Sequence, residues 1–281
     1  MVNQCTQIAI GALLVSGTVL GTGATRTFGD EIRVTIDNMN SSEGFFFTPV
    51  WLSAQDGSFD MYDRGTLSQP NWPGMTAIAE NGNTGPLDAA FHACGAGMAG
   101  GQSMVVTANT IGPPVFNPGE SSTVMFDIGD PTVNRYLSYA SMVIPSNDLF
   151  FGNDDPTAHE LFDVNGHFNG PMEILIFGSM VNDNGTEVNN AYGDAAFSLN
   201  DGQAMPEYNP IRAFFTDPGD ADYLASFLGT QTASMDTINS VFGPQDVIAR
   251  IRIDQIPAPG SLAFLMVGGL AASGRRRRRM T

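Results

Sequence analysis

Polar and apolar residues alternate through Glu31-Ile32-Arg33-Val34-Thr35-Ile36-Asp37-Asn38, and again through Asp246-Val247-Ile248-Ala249-Arg250-Ile251-Arg252-Ile253. A period of two predicts strands with one face on a core and one on solvent. The run 45–53 is denser in apolar residues and carries Pro49, which favours an edge position or a strand start. Residues 59–62 form a short apolar stretch after the Gln55-Asp56-Gly57-Ser58 turn. Residues 103–108 and 121–127 read as further strands, separated by Pro114 and Pro118-Gly119. Helical character is weak at 76–80 and 87–92, and 95–101 reads as a flexible, glycine-rich loop. Residues 221–228 predict a short helix capped by Asp217 or Asp220.

The centre of the chain organises the rest. A strand at 139–144 breaks at Pro145-Ser146-Asn147-Asp148 and passes into Leu149-Phe150-Phe151-Gly152-Asn153. A second strand at 173–181 turns on Asn182-Asp183-Asn184-Gly185-Thr186-Glu187. Strands ending in such breaks carry acidic side chains to a sheet rim, and the two rims merge if the strands are neighbours. Recurring short strands with Gly, Pro and Asn turns and little helix predict one all-β domain, an antiparallel β-sandwich. There is no internal repeat.

Charge narrows the function. The chain has 281 residues, no lysine and twelve arginines, five of them in the run 275–279. All 29 acids lie within 30–254 beside six arginines, so that body carries 6 − 29 = −23. Such a surface excludes nucleic acid and suits cations or a saline medium. Two cysteines, Cys5 and Cys94, make no useful disulfide if the first leaves with a leader, and Cys94 is then expected as a buried small hydrophobe.

Both ends read as export machinery. Residues 8–20 are an apolar run followed by the small residues Thr22-Gly23-Ala24, so 1–24 is expected to be a secretory leader although it lacks a basic start. At the other end Pro257-Ala258-Pro259 leads into the apolar stretch 260–274 and then five arginines. That is a stop-transfer pattern too short for a stable span, as in a transient or processed anchor.

Three kinds of chemistry are open to the body, 25–255. His159-Glu160-Leu161-Phe162-Asp163 lacks the second histidine that a zinc-hydrolase helix needs, and a loop histidine explains it better. Cys94 with His92 has no evident orienting partner, so packing explains that pair better. Asp148, Asp183 and Glu187, with Asn147, Asn182 and Asn184 as extra oxygens, are the donors a hard cation takes. The same residues are what tight turns ask for, and on pattern alone turn chemistry accounts for them better.

Two resemblances add to this. The Pro motif, apolar segment and arginine cluster of 256–281 resemble the bacterial PEP-CTERM sorting signal, here in a form without the central Glu. That resemblance implies an exosortase-type processing enzyme as a partner and delivery to the cell envelope or exopolysaccharide matrix. Ser141-Met142-Val143-Ile144-Pro145-Ser146-Asn147-Asp148 and Asp183-Asn184-Gly185-Thr186-Glu187 resemble the two central motifs of the spondin N-terminal domain. The resemblance implies a C2-like sandwich of about eight antiparallel strands, to which the residue pattern adds long loops and one or two short helices. It also implies Ca²⁺ held by Asp148, Asp183 and Glu187.

The resulting expectation is an exported, non-enzymatic, spondin-like protein of a bacterial cell surface or extracellular matrix, binding Ca²⁺ and acting in adhesion or assembly. The alternatives are a secreted hydrolase of polysaccharide or ester using Asp148, Asp154, Asp155 or Glu187, and a structural matrix protein without metal.

Overall fold

The computed structural model describes residues 31–109, 112–200 and 202–256. The leader and sorting-signal expectations, at 1–24 and 256–281, fall outside these apart from Ile256. Among the described residues no helix is long and apolar enough to cross a membrane.

The strands in chain order are β1 Glu31–Asn38, β2 Phe46–Phe47, β3 Val50–Gln55, β4 Gln102–Val106, β5 Ser121–Asp127 and β6 Tyr136–Ile144. There follow β7 Leu149–Gly152, β8 Met172–Phe177, β9 Asn182–Asp183, β10 Arg212–Ala213 and β11 Val247–Gln255. They form two antiparallel sheets. One has the order β5-β1-β11-β8, and the other β10-β9-β7-β6-β3-β4 with β2 also on β6. The expected antiparallel sandwich is therefore the observed one.

The two sheets bury themselves differently, and the hydrophobic pattern says why. β1 and β11 alternate, so Ile32, Val34 and Ile36 with Ile251 and Ile253 enter the core while Glu31, Arg33 and Arg252 face solvent. β3, β6 and β7 are buried almost throughout because both faces of their sheet are covered. Leu149 and Phe151 point into the core between the sheets, whereas Phe150 joins Trp51 and Ala140 in a second core on the outer face.

That outer face is covered by helices α1 Ser68–Asn71, α2 Pro73–Asn81, α3 Gly85–Ala93 and α4 Gly95–Met98. Met75, Ile78, Leu87 and Phe91 fill the second core from the helix side. The expectation of one or two short helices is thus too low. The segment 68–98 is a helical layer stabilised by packing on the outer aromatic face of the sheet, since helices this short are marginal alone. The glycine-rich stretch is likewise not a free loop: α4 folds back on α3 so closely that a Cβ on Gly97 would lie 2.3 Å from the Phe91 carbonyl. Cys94 is buried there as expected, its thiol donating to that same carbonyl at 3.0 Å.

A fifth helix, α5 Asp220–Ala225, lies where a helix was expected, but neither aspartate caps it. Asp220 instead accepts the Asp217 N–H at 3.0 Å and turns its carboxylate to Arg212.

Candidate functional site

The two acidic rims do meet, though not through the strands expected. β6 and β8 lie in different sheets; after β8 the chain crosses through a short 3-10 turn, Gly178–Met180, into β9 of the other sheet. There β9 pairs with β7, setting Leu149 opposite Asp183, and β10 adds Arg212 on the other side of Asp183.

The turn before β7 is held from within. Ser146 Oγ donates to the Val143 carbonyl at 2.5 Å and accepts the Leu149 N–H at 3.1 Å. Asp148 is fully buried, and its Oδ2 accepts the N–H groups of Thr186 at 2.8 Å and Glu187 at 3.1 Å and the Thr186 hydroxyl at 3.2 Å. Asp148 therefore fastens the loop at 145–148 to the turn at 183–187. Gly185 makes that turn possible: its φ is +69°, and a Cβ would lie 2.3 Å from the Asn209 carbonyl. Beyond it the Glu207 N–H bonds the Thr186 carbonyl at 2.8 Å and the Asn209 N–H bonds the Gly185 carbonyl at 2.9 Å.

Asp183 is also buried. Its Oδ1 accepts the Gly185 N–H at 2.8 Å, and its Oδ2 accepts Asn189 Nδ2 at 2.7 Å and Arg212 Nη2 at 2.6 Å. Arg212 grips Asp220 through both terminal nitrogens, at 2.7 and 2.8 Å. Arg212 and Asn189 are site residues that sequence reasoning missed, and for Arg212 a signal existed. The available signal was scarcity: with six arginines among 29 acids in the body, each arginine is a candidate counter-ion.

Burial, then the nearby charge of Asp183, pushes the Asp148 carboxyl well above the usual range. Burial also raises Asp183, against the pull of Arg212. Of the two, Asp148 takes a proton first, because its donors are neutral whereas Asp183 faces a guanidinium. Glu187 is half-buried and is raised to about 7 by burial, then by Glu80 and Asp194. Asp220, which burial alone would raise, is brought below its ordinary value by Arg212.

Three acceptors around this turn are buried and have no hydrogen-bond partner among the described residues: Asp148 Oδ1, Asn184 Oδ1 and Asn189 Oδ1. Of the amides expected as extra oxygen donors, Asn184 alone has its oxygen free. Asn147 Oδ1 is taken by the Tyr223 hydroxyl and the Asn190 N–H, and Asn182 Oδ1 by Arg64 Nε. Among the described residues no group of three or more His, Cys, Asp and Glu side chains is gathered as for a metal ion. What the turn does gather is the interacting carboxylate pair Asp148 and Asp183, with Asn189 Nδ2 on Asp183 and Asn184 Nδ2 on Thr186 Oγ1 at 3.0 Å.

The other chemistries meet local obstacles. His159 lies in an irregular segment rather than a helix; it packs on Tyr139 at 5.6 Å and is half-buried, not a solvated loop side chain. His92 is on α3 and Cys94 follows its end, so they do not share a sheet face. His92 Nε2 instead lies 3.0 Å from Ser103 Oγ, but that hydroxyl gives its proton to Asp88 at 2.5 Å. A serine so bonded has no proton to pass to the imidazole, unlike an activated nucleophile. Asp154 and Asp155 sit near Asp60 and Asp63, whereas Asp148 is sealed beneath the turn. Asp155 is occupied with the Thr157 N–H at 2.8 Å and hydroxyl at 2.7 Å.

No family model matches the chain, and no curated protein matches it.

Proposed function

We propose that this is an exported, non-enzymatic, spondin-like β-sandwich that holds Ca²⁺ beside the 183–187 turn and acts in adhesion or assembly at a bacterial cell surface or matrix. The observation that carries the reading is the set of three buried, donorless oxygens on Asp148, Asn184 and Asn189. Each bare buried acceptor costs about 1–3 kcal/mol, and a cation among them relieves that cost. Carboxylate and amide oxygens together are the donor set of a hard cation rather than of a soft metal. Asp148, Asn184 and Asn189 would hold it, with Asp183 contributing the carboxylate it shares with Arg212 and Glu187 completing the set that the resemblance implies. When bound, the ion supplies a cross-link between the loop at 145–148 and the turn at 183–187.

Export rests on the leader-like and sorting-like ends, and a body charge of 6 − 29 = −23 suits a saline exterior. The partners of this reading are envelope or exopolysaccharide components and an exosortase-type processing enzyme.

Thermal unfolding in EDTA and in millimolar Ca²⁺ tests it. An ion that binds only the folded state adds about 2.7 kcal/mol at a hundredfold excess over Kd. That gain should vanish in Asp148→Asn and shrink in Asp183→Asn. A Tm indifferent to Ca²⁺ would leave these residues as turn chemistry in a metal-free structural protein.

A further inference from the structure

Beside the turn, with none of its three bare oxygens in the lining, a pocket of about 190 Å³ opens between four stretches of chain, and its lining includes Ser68, Glu80, Thr186, Glu207 and Tyr208. Its walls are tied by backbone hydrogen bonds rather than by side chains alone. Ile211 N–H bonds the Thr66 carbonyl at 2.8 Å, Gly65 N–H bonds the Ile211 carbonyl at 2.8 Å, and Val188 N–H bonds the Met205 carbonyl at 2.8 Å. Asn209 Nδ2 holds Glu207 Oε2 at 2.9 Å, which fixes one carboxylate in place. Ser68 is buried and bonded to Thr76 at 2.7 Å, so that side of the pocket is rigid too.

The lining carries two carboxylates, Glu80 and Glu207, and no basic side chain. The nearby Arg212 is spent on Asp183 and Asp220. Tyr208 is 85% exposed, so a large aromatic side chain stands free at the pocket with no structural task of burial. Carboxylates plus an open aromatic ring in a small concavity recognise a compact organic cation, through charge and through the ring face.

We propose that this pocket binds the ammonium group of a partner molecule. The size suits a single side chain or sugar unit, below the roughly 300 Å³ at which drug-sized sites begin. Because the chain contains no lysine, a second copy cannot supply an ammonium side chain. The ammonium group is therefore sought on another molecule, for which a protein lysine and an amino sugar are the two representative sources. The inference rests on the pocket alone and needs no bound metal.

The test is calorimetric titration of the full chain, in EDTA, with Nα-acetyl-lysine methylamide and with glucosamine, using N-acetylglucosamine as the uncharged control. Saturable binding of at least one ammonium probe, and none of the control, is expected; the tighter probe identifies the source. Glu207→Gln should weaken binding about tenfold or more, as loss of a charged hydrogen bond does. Tyr208→Ala should weaken it about two- to fivefold, as for an exposed cation–π contact. Both positions are outside the core, and unchanged Tm values in the variants verify the fold. Absence of saturable binding overturns the proposal. So does binding unaltered in both variants, which places the cation elsewhere on the acidic surface, and so does equal binding of N-acetylglucosamine.

Discussion

Asp183 and Arg212 face each other across the β9–β10 ladder, and the guanidinium lies 2.6 Å from the carboxylate. The same fork holds Asp220, so a single partly buried cation neutralises two carboxylates that are only 2% and 4% exposed. Arg212→Met should therefore cost about 3–5 kcal/mol, the usual effect of stranding buried charge. Arg212→Lys keeps the charge without the fork and should recover only part of it. Urea unfolding measures both; a loss below about 1 kcal/mol for Arg212→Met would mean that the pair contributes nothing net.

The pH dependence has a definite sign. Asp148 is raised by burial and by Asp183, and Glu187 is raised to about 7 by burial, Glu80 and Asp194. An acid whose folded pKa lies above its unfolded one contributes stability that is complete below the unfolded value and lost as pH rises through the folded value. In EDTA, stability should fall between pH 4.5, the ordinary value of Glu187, and about 7. Asp148→Asn should flatten the curve, and excess Ca²⁺ should oppose the fall by taking the proton's place. Denaturation midpoints across that range decide it, and a rise with pH would contradict the burial of these carboxylates.

Two glycines with the same backbone sign should respond differently to alanine. Gly185 has φ +69° and a Cβ there would lie 2.3 Å from the Asn209 carbonyl, while Gly119 has φ +80° and a Cβ there would meet nothing within 4 Å. Gly119→Ala should cost roughly 1–2 kcal/mol for the left-handed backbone alone. Gly185→Ala adds about 1–3 kcal/mol for displacing neighbouring chain, and should also weaken any Ca²⁺ response. Equal losses at the two sites would remove the close approach at Asn209 as a cause.

Phe150→Ala should cost about 3–5 kcal/mol as a large core truncation. Its ring lies 5.0 Å from that of Tyr62, edge to face, in the core shared with α2 and α3. Amide exchange should speed up across 73–93 before it does in β1 and β11. Uniform acceleration would show that the helical layer and the sandwich open together.

The alternation at 31–38 and 247–253 was legible because one face of those strands meets water. The run around Trp51 was legible as a strand, whereas the stretch around Phe150 was read only as the chain's path after the break and proves to be β7, and a period of two does not say what covers the second face. The helices over them were faint because Pro86, Gly85 and Gly95 dilute propensity, and tertiary burial of Leu87 and Phe91 supplies the missing stability. Asp148, Asp183 and Glu187 were legible as turn residues, and the structure ties Asp148 to the 183–187 turn through the Thr186 and Glu187 N–H groups. Arg212 has no such local mark: it sits in a two-residue strand, and only the β9–β10 register brings it to Asp183. Asn189 was missed for a similar reason, since its role depends on how the chain curls after the turn.

The pairing of β1 with β11 sets Ile32 directly opposite Gln255, so the first and last strands of the described chain run side by side in the middle of one sheet. Their sequence separation is nearly the whole domain, which puts closure of that sheet late in folding. A chain emerging gradually from a ribosome or a membrane pore cannot complete its sandwich until the last strand arrives. Because the start of β1 and the end of β11 meet, residues 31 and 255 can also be joined by a short linker and the domain reopened at an exposed turn such as Gly119, giving a circular permutant with the same contacts and a different order of assembly.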